Sequence, residues 1–334
     1  MRCGGGTAER PNVAQRTPNP PTSTSSTEEA RQHMKFYEEE SRIPAEGGIT
    51  LHAWLFRPQG EGPFPAVTVA HGFAGVKYQG LRAYAERFAR SGFVVVVHDH
   101  RNFALSGGDV RGDIDPWQQI ADWRRVISYL EALPYVDPSR IGLWGSSYAG
   151  GHALVLAATD RRIKAAVAQI PTISGYEQGR RRVSPEQLPA LETRFDADER
   201  AQLTGAAPAM QALVSTNPTV PAAFRTQAMT DFLNRFTLPD AVEANDEITV
   251  RSARRARMYE PGLWVERIAP TPLLMVVGTH DDVTPTDLAL EAYQRALEPK
   301  GLQMFDGGHF DAYVDGTFET TSGAATDWFR KYLA

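Results

Sequence analysis

A serine, a histidine and a carboxylate, each beside glycines that allow a sharp backbone turn, are the side chains in this sequence with the types needed for nucleophilic acyl chemistry. Ser147 lies in Gly145-Ser146-Ser147-Tyr148-Ala149-Gly150-Gly151, directly after Ile141-Gly142-Leu143-Trp144 and directly before His152-Ala153-Leu154-Val155-Leu156. The first run reads as a strand and the second as a helix. A serine hydroxyl is a weak nucleophile until a base takes its proton, and it must also stand clear of its strand. A strained residue with positive φ at a strand-to-helix turn achieves this, provided that the residues two before and two after are small. Gly145 and Ala149 meet that need. The helix that follows offers free amides and a favourable dipole to developing negative charge.

The partners come from the C-terminal part. His309 follows Asp306-Gly307-Gly308, a loop flexible enough to swing an imidazole back over a sheet edge; the bland alternative is a surface histidine in a turn. The run Leu273–Val277 ends in Gly278-Thr279-His280-Asp281-Asp282-Val283-Thr284-Pro285. Asp281 is the preferred orienting carboxylate, and Asp282, one register away, is the alternative, expected otherwise to point elsewhere or cap the next helix. Ala66–Ala70 runs into His71-Gly72-Phe73-Ala74-Gly75, a loop suited to exposing an amide. The oxyanion donors are therefore the Phe73 and Tyr148 N–H groups, with Ala74 competing for the first position. His71 reads as a brace for that loop and not as a base. In this scheme His309 takes the Ser147 proton, Asp281 holds the imidazole tautomer, and water or another acceptor resolves an acyl-enzyme. No metal or organic cofactor is required.

The elements that would position these residues alternate. Phe36–Ile43 and Ile49–Phe56 flank Glu46-Gly47-Gly48 as a hairpin. Short β-branched runs follow at Ala66–Ala70, Phe93–His98, Ile141–Trp144, Ala165–Ile170, Leu273–Val277 and Leu302–Phe305. Leu81–Arg90 and Trp117–Leu133 carry helical spacing, with Trp117, Ile120, Trp123, Ile127 and Leu130 on one face. Such alternation predicts an α/β fold, a mostly parallel sheet with helices on both faces. About a hundred residues separate Ile170 from Leu273, where a crossover needs roughly a dozen. The excess, 172–266, reads as a helical cap or lid inserted between core segments 34–171 and 267–334. Residues 1–33, rich in Gly, Pro, Ser and Thr, read as a disordered tail.

Composition narrows the classes. A net charge of -5 argues against nucleic-acid binding. The single cysteine, Cys3, allows neither an internal disulfide nor a cysteine-based metal site. No run approaches the ~18 apolar residues of a membrane span, and no apolar stretch follows Arg2 as a secretory leader would require. The expectation is a cytoplasmic protein without membrane or nucleic-acid partners, acting on a small-molecule ester or thioester; oligomeric state is left open.

His71-Gly72-Phe73, Asp99-His100-Arg101-Asn102-Phe103 with Ser106-Gly107-Gly108, the Ser147 turn, Gly278 to Pro285 and Gly307-Gly308-His309 together resemble the α/β-hydrolase superfamily from about Phe36 to Leu333. Within it the chain looks most like the dienelactone-hydrolase and Xaa-Pro-peptidase-like branch, and is similar there to polyketide transferases and thiohydrolases. The order serine, acid, histidine is the order of that fold. Ala149 departs from the usual glycine, adding one methyl that tightens the turn. The resemblance implies an α/β-hydrolase fold, a Ser147–Asp281–His309 triad and a carboxylesterase or thioesterase activity. It assigns Asp99-His100-Arg101 to holding loop architecture. An acyltransferase, an Xaa-Pro-type aminopeptidase or a non-catalytic binding scaffold are the alternatives; a dehalogenase or epoxide hydrolase would need a carboxylate at position 147. In the insertion, Met210, Leu213, Phe224, Met229, Phe232, Phe236, Tyr259 and Trp264 either pack the lid or face an apolar pocket. Arg180-Arg181-Arg182 reads as a solvated face, with docking of an anionic carrier thioester as the other option.

Overall fold

The computed structural model describes Met1, residues 34–243 and residues 245–334. The tail expected over 1–33 falls almost entirely outside the described residues.

The hairpin strands are β1 (Phe36–Pro44) and β2 (Thr50–Pro58), paired antiparallel. Then come β3 (Phe64–Ala70), α1 (Leu81–Arg90), β4 (Val94–His98), α2 (Pro116–Ala132), β5 (Val136–Ser146), α3 (Tyr148–Thr159) and β6 (Ile163–Gln169). The insertion holds α4 (Gly175–Arg182), α5 (Leu188–Leu203), β7 (Met210–Val214), β8 (Ala222–Phe224), α6 (Gln227–Asn234), β9 (Glu247–Thr249) and α7 (Val250–Arg257). The core resumes with β10 (Leu273–Gly278), α8 (Thr286–Arg295), β11 (Lys300–Phe305) and α9 (Asp315–Leu333).

One eight-stranded sheet runs β1-β2-β4-β3-β5-β6-β10-β11. From β4 to β11 every neighbouring pair is parallel. The two-residue period of a strand explains why its runs are apolar throughout. Val94 and Val96 of β4 enter one core layer, while Val95 and Val97 enter the other. The first layer is closed by α2, α3 and α8, and the second by α1 and α9. In α1 the buried residues Leu81, Tyr84, Ala85, Phe88 and Ala89 follow helical spacing. In α2 the buried stripe contains Val126, whereas Trp117, expected on it, is exposed at the helix start and meets the Tyr259 ring edge-on. Asp115 caps this helix by accepting from the Trp117 and Gln118 amides. Buried Trp123 then donates to Thr68 at 2.8 Å, fixing α2 to β3.

The chain leaves β3 toward β4 on one side and later places β5 on the other. The carboxyl ends of β3 and β5 thus flank the switch point of the sheet, where open α/β folds form their crevice. Above it stands the insertion, in which β8-β7-β9 form a small sheet beside the four helices. The buried carboxylate of Asp113 ties the insertion down by accepting from Arg251 and Arg255 of α7.

Candidate active site

Ser147 is the residue between β5 and α3, and it has φ 58° and ψ −116°. The turn is held by bonds to both of its peptide groups. Its amide donates to the Gln169 carbonyl at 2.9 Å, and its carbonyl accepts from the Thr172 amide at 2.9 Å. Small neighbours make the turn possible: a Cβ at Gly145 would lie 2.1 Å from the Ala149 carbonyl oxygen. The extra methyl of Ala149 is fully buried within the same turn.

His309 arrives from the loop after β11, and its Nε2 lies 2.9 Å from Ser147 Oγ. Its Nδ1 lies 2.8 Å from Asp281 Oδ2, in the loop after β10. An Nδ1–H donating to the carboxylate leaves the Nε2 lone pair facing the hydroxyl. Asp282 is exposed and makes no contact with the imidazole, so the structure brings Asp281, and not Asp282, to the histidine. Asp281 Oδ1 accepts from the Val283 and Thr284 amides at 2.9 and 2.8 Å. Burial pushes this carboxyl upward, but the facing His309 and the Thr284 donors outweigh it and hold Asp281 below the ordinary range. Asp281 is therefore ionised at neutral pH.

Thr284 is a member of the constellation that sequence reasoning missed. Its hydroxyl lies 2.8 Å from Asp281 Oδ2, 3.0 Å from the Ile170 carbonyl and 3.2 Å from His309 Nδ1. The signal available was an Asp followed three residues later by a Thr in a loop, a spacing at which such side chains bond back to the local backbone.

The loop after β3 passes beside the serine. A Cβ on Gly72 would lie 2.7 Å from Ser147 Cβ, so only glycine allows this approach. Among the described residues, the Phe73, Ala74 and Tyr148 amides have no protein acceptor. Ala74 takes a positive φ of 57°. His71 donates from Nε2 to the Gln79 carbonyl at 2.8 Å within its own loop and makes no hydrogen bond to Ser147. Behind the loop, the Lys77 ammonium and amide both donate to Asp99, with both side chains fully buried. Burial pushes Lys77 down and Asp99 up, so each ion depends on the other for its charge. Arg101 makes two hydrogen bonds of 2.6 Å to Asp122.

Ser147 opens on a cavity of about 560 Å³ whose walls include Phe73, Tyr148, Thr284 and much of the insertion. Of the eight large apolar residues in the insertion, Phe224 lines it, set edge-on to Phe73 at 5.7 Å. Phe232 instead packs on Phe310 and Tyr313 of the core. The arginine run divides: Arg180 and Arg181 pair with Glu177 and Asp287 on the surface, while Arg182 lines the cavity.

The sheet order, the crossing helices and the site at the switch point define an α/β hydrolase. The chain belongs to the X-Pro dipeptidyl-peptidase (S15) family, whose model matches residues 47–311. Among characterised relatives, it is 29% identical over 285 residues to the quorum-quenching protein AidA of Acinetobacter baumannii (strain MDR-ZJ06), covering 85% of this chain and 92% of the other. It is 29% identical over 276 residues to a thiohydrolase of Eupenicillium brefeldianum, covering 81% and 87%. The crystal structure of the α/β hydrolase GrgF from Penicillium sp. sh18 superposes with a TM-score of 0.77 at 28% identity, covering 89% of this chain and 99% of GrgF. No helix among the described residues is long and apolar enough to cross a membrane.

Proposed function

We propose that this protein is a serine hydrolase that cleaves a carboxylic ester or thioester through an acyl-enzyme, with Ser147 as nucleophile, His309 as general base and Asp281 as the carboxylate that orients and stabilises the imidazolium. The observation that carries this reading is the unbroken chain from Ser147 Oγ to His309 Nε2 at 2.9 Å and from His309 Nδ1 to Asp281 Oδ2 at 2.8 Å, at a serine with positive φ. His309 takes the hydroxyl proton as Oγ attacks the carbonyl carbon, and the carbonyl oxygen becomes the oxyanion. The Phe73 and Tyr148 amides, which have no protein acceptor among the described residues, stabilise that charge. His309 then returns the proton to the leaving alcohol or thiol, and water repeats the sequence on the acyl-enzyme. The segment 172–266 acts as the cap that selects the acyl group, since it supplies much of the cavity wall.

The printed name of the Eupenicillium relative supports thioester cleavage. A polyketide transferase and an acyltransferase also stand among the relatives, and an alcohol or amine replacing water at the acyl-enzyme is the same chemistry with another acceptor. The test is kinetic. Wild type hydrolyses p-nitrophenyl butyrate or a butyryl thioester, and Ser147→Ala lowers kcat by at least ~10³ while its circular dichroism and melting temperature stay near wild type. A Ser147→Ala protein with wild-type turnover refutes the proposal.

A further inference from the structure

We infer that the cavity above Ser147 is built for a substrate carrying an oxyanion, a carboxylate on the acyl chain or a phosphate on its carrier, which Arg182, Arg194 and Arg257 receive. This rests on the proposed reaction and names its substrate class.

The insertion distributes its ion pairs unevenly. On α4 and α7, the arginines that do not line the cavity have carboxylate partners. Arg180 has Glu177, Arg181 has Asp287, Arg251 and Arg255 share Asp113, and Arg254 has Glu199. Arg182 and Arg257 lie on those two helices and Arg194 on α5; all three line the cavity, and none has a salt bridge among the described residues. Arg200, exposed on α5, also lacks a salt bridge among the described residues, so the contrast by direction belongs to α4 and α7; Asp281 and Asp282 lie near enough to Arg182 to favour its charge without pairing with it.

The hydrogen-bonding capacity of the three cavity arginines is also largely unspent. A guanidinium carries five N–H donors. Arg182 uses one on the Val283 carbonyl and lies over the Phe224 ring at 4.7 Å. Arg194 uses one on Gln211 at 2.9 Å. Arg257 has no hydrogen bond among the described residues, although its guanidinium packs against Gly179, where a Cβ would lie 2.6 Å from Nη1. Arg225, a fourth cation on the wall, spends its donors on the Ser215, Asn217 and Val220 carbonyls. Asp282 is the only carboxylate among the lining residues, and it is exposed. Arg182 presents surface to the cavity solvent, yet its guanidinium is crowded by protein, and that desolvation pushes it down to about 10. Burial also lowers Arg194. Both stay cationic at neutral pH, and a bound oxyanion offsets the cost of taking those charges out of water by charge-assisted, often bidentate bonds. The same wall repels an ammonium, so an Xaa-Pro aminopeptidase, which must receive a cationic N-terminus beside its scissile bond, does not fit this cavity.

The experiment uses the full chain and matched substrates. p-Nitrophenyl hemiglutarate is compared with p-nitrophenyl butyrate, and glutaryl- and butyryl-coenzyme A with the corresponding N-acetylcysteamine thioesters. A preference of at least ~10-fold in kcat/KM for the glutaryl member of each pair identifies an acyl carboxylate; a similar preference for coenzyme A over N-acetylcysteamine, whatever the acyl group, identifies the carrier phosphate. In either case Arg182→Gln and Arg257→Gln collapse the ratio toward one, mainly through KM, and Arg257→Lys restores part of it. Equal turnover of charged and neutral members in all pairs overturns the inference. A binding arm makes the result independent of turnover: on Ser147→Ala, calorimetry shows monomethyl glutarate binding at least ~10-fold more tightly than dimethyl glutarate if the acyl chain carries the oxyanion, or coenzyme A at least ~10-fold more tightly than N-acetylcysteamine if the carrier does. Failure of all turnover with that binding difference intact refutes the proposed reaction alone, whereas turnover without any charge preference refutes the cavity assignment alone.

Discussion

At the sheet rim, Ser147, Asp281 and His309 each follow a strand of the parallel sheet, and short local motifs bring them together with bonds of 2.8 and 2.9 Å. The cavity above them is assembled differently. Arg182, Arg194 and Arg257 come from three helices of the insertion, and Phe224 comes from a three-residue strand. The backbone of the rim is tied to the sheet, Ser147 through its amide to the Gln169 carbonyl. The cavity is made of long side chains on an inserted segment, so its shape and charge can change without disturbing the rim. On the proposed function, bond-breaking belongs to the core and substrate choice to the insertion, and this division can be tested by asking whether changes in one region affect every substrate or only some.

The largest expected effect is at the rim. Asp281→Asn keeps the shape but withdraws the charge that fixes the imidazole tautomer, and kcat should fall by about 10³- to 10⁴-fold for charged and neutral esters alike. Steady-state kinetics on an acetyl, a hexanoyl and a glutaryl ester checks this; a loss confined to one acyl group would erase the distinction between rim and cavity.

The next effect concerns the support behind the loop that follows β3. Lys77→Met leaves Asp99 buried without its cation and should cost about 3–5 kcal/mol of stability, read from urea unfolding. The double variant Lys77→Met/Asp99→Leu should recover much of that loss. No recovery would mean that Lys77 acts through packing on Trp54 and Tyr78 rather than as an ion.

A graded effect should appear with pH. Burial pushes His71 and His100 down to about 4, and holds His98 and His152 well below the ordinary histidine range. In the unfolded chain these groups take up protons below the ordinary histidine value of 6.5, whereas the native chain does not. Stability contributed by keeping them neutral is therefore present above pH 6.5 and is lost as pH falls toward 4. Urea midpoints measured from pH 7.5 to pH 4.5 should decline steadily, and a flat profile would contradict the neutral assignment.

The smallest effect belongs to the cavity wall. Phe224→Ala should raise KM for a hexanoyl ester about 10-fold more than for an acetyl ester. An equal effect on both would mean that Phe224 acts through its contact with Phe73 and not on the acyl chain.

The same contrast explains what the sequence made legible. The β-branched run at 94–97, the glycines around Ser147 and the loop before His309 are local signals, because strand period and turn sterics act over a few residues. They led to the eight-stranded sheet and to the region of the site. Asp281 and Asp282 are adjacent and chemically alike, so only the three-dimensional path of the loop, pinned by the Val283 and Thr284 amides, separates them. The small sheet of Met210–Val214, Ala222–Phe224 and Glu247–Thr249 was missed because its strands are short and two of them carry polar or exposed residues. Trp117 shares the helical spacing of its neighbours, but it lies exposed in the first turn of α2, against Tyr259 of the insertion. The cavity arginines are the least legible of all, since residues at 182, 194 and 257 form a cluster only after three helices have folded over the rim.

Covalent labelling of the wild-type protein with a fluorophosphonate, followed by peptide mass mapping, tests the central claim most directly. The account predicts one modified residue, Ser147, with labelling abolished in Ser147→Ala and strongly slowed in His309→Ala. Modification at another serine, or labelling of wild type no faster than of His309→Ala, would contradict it.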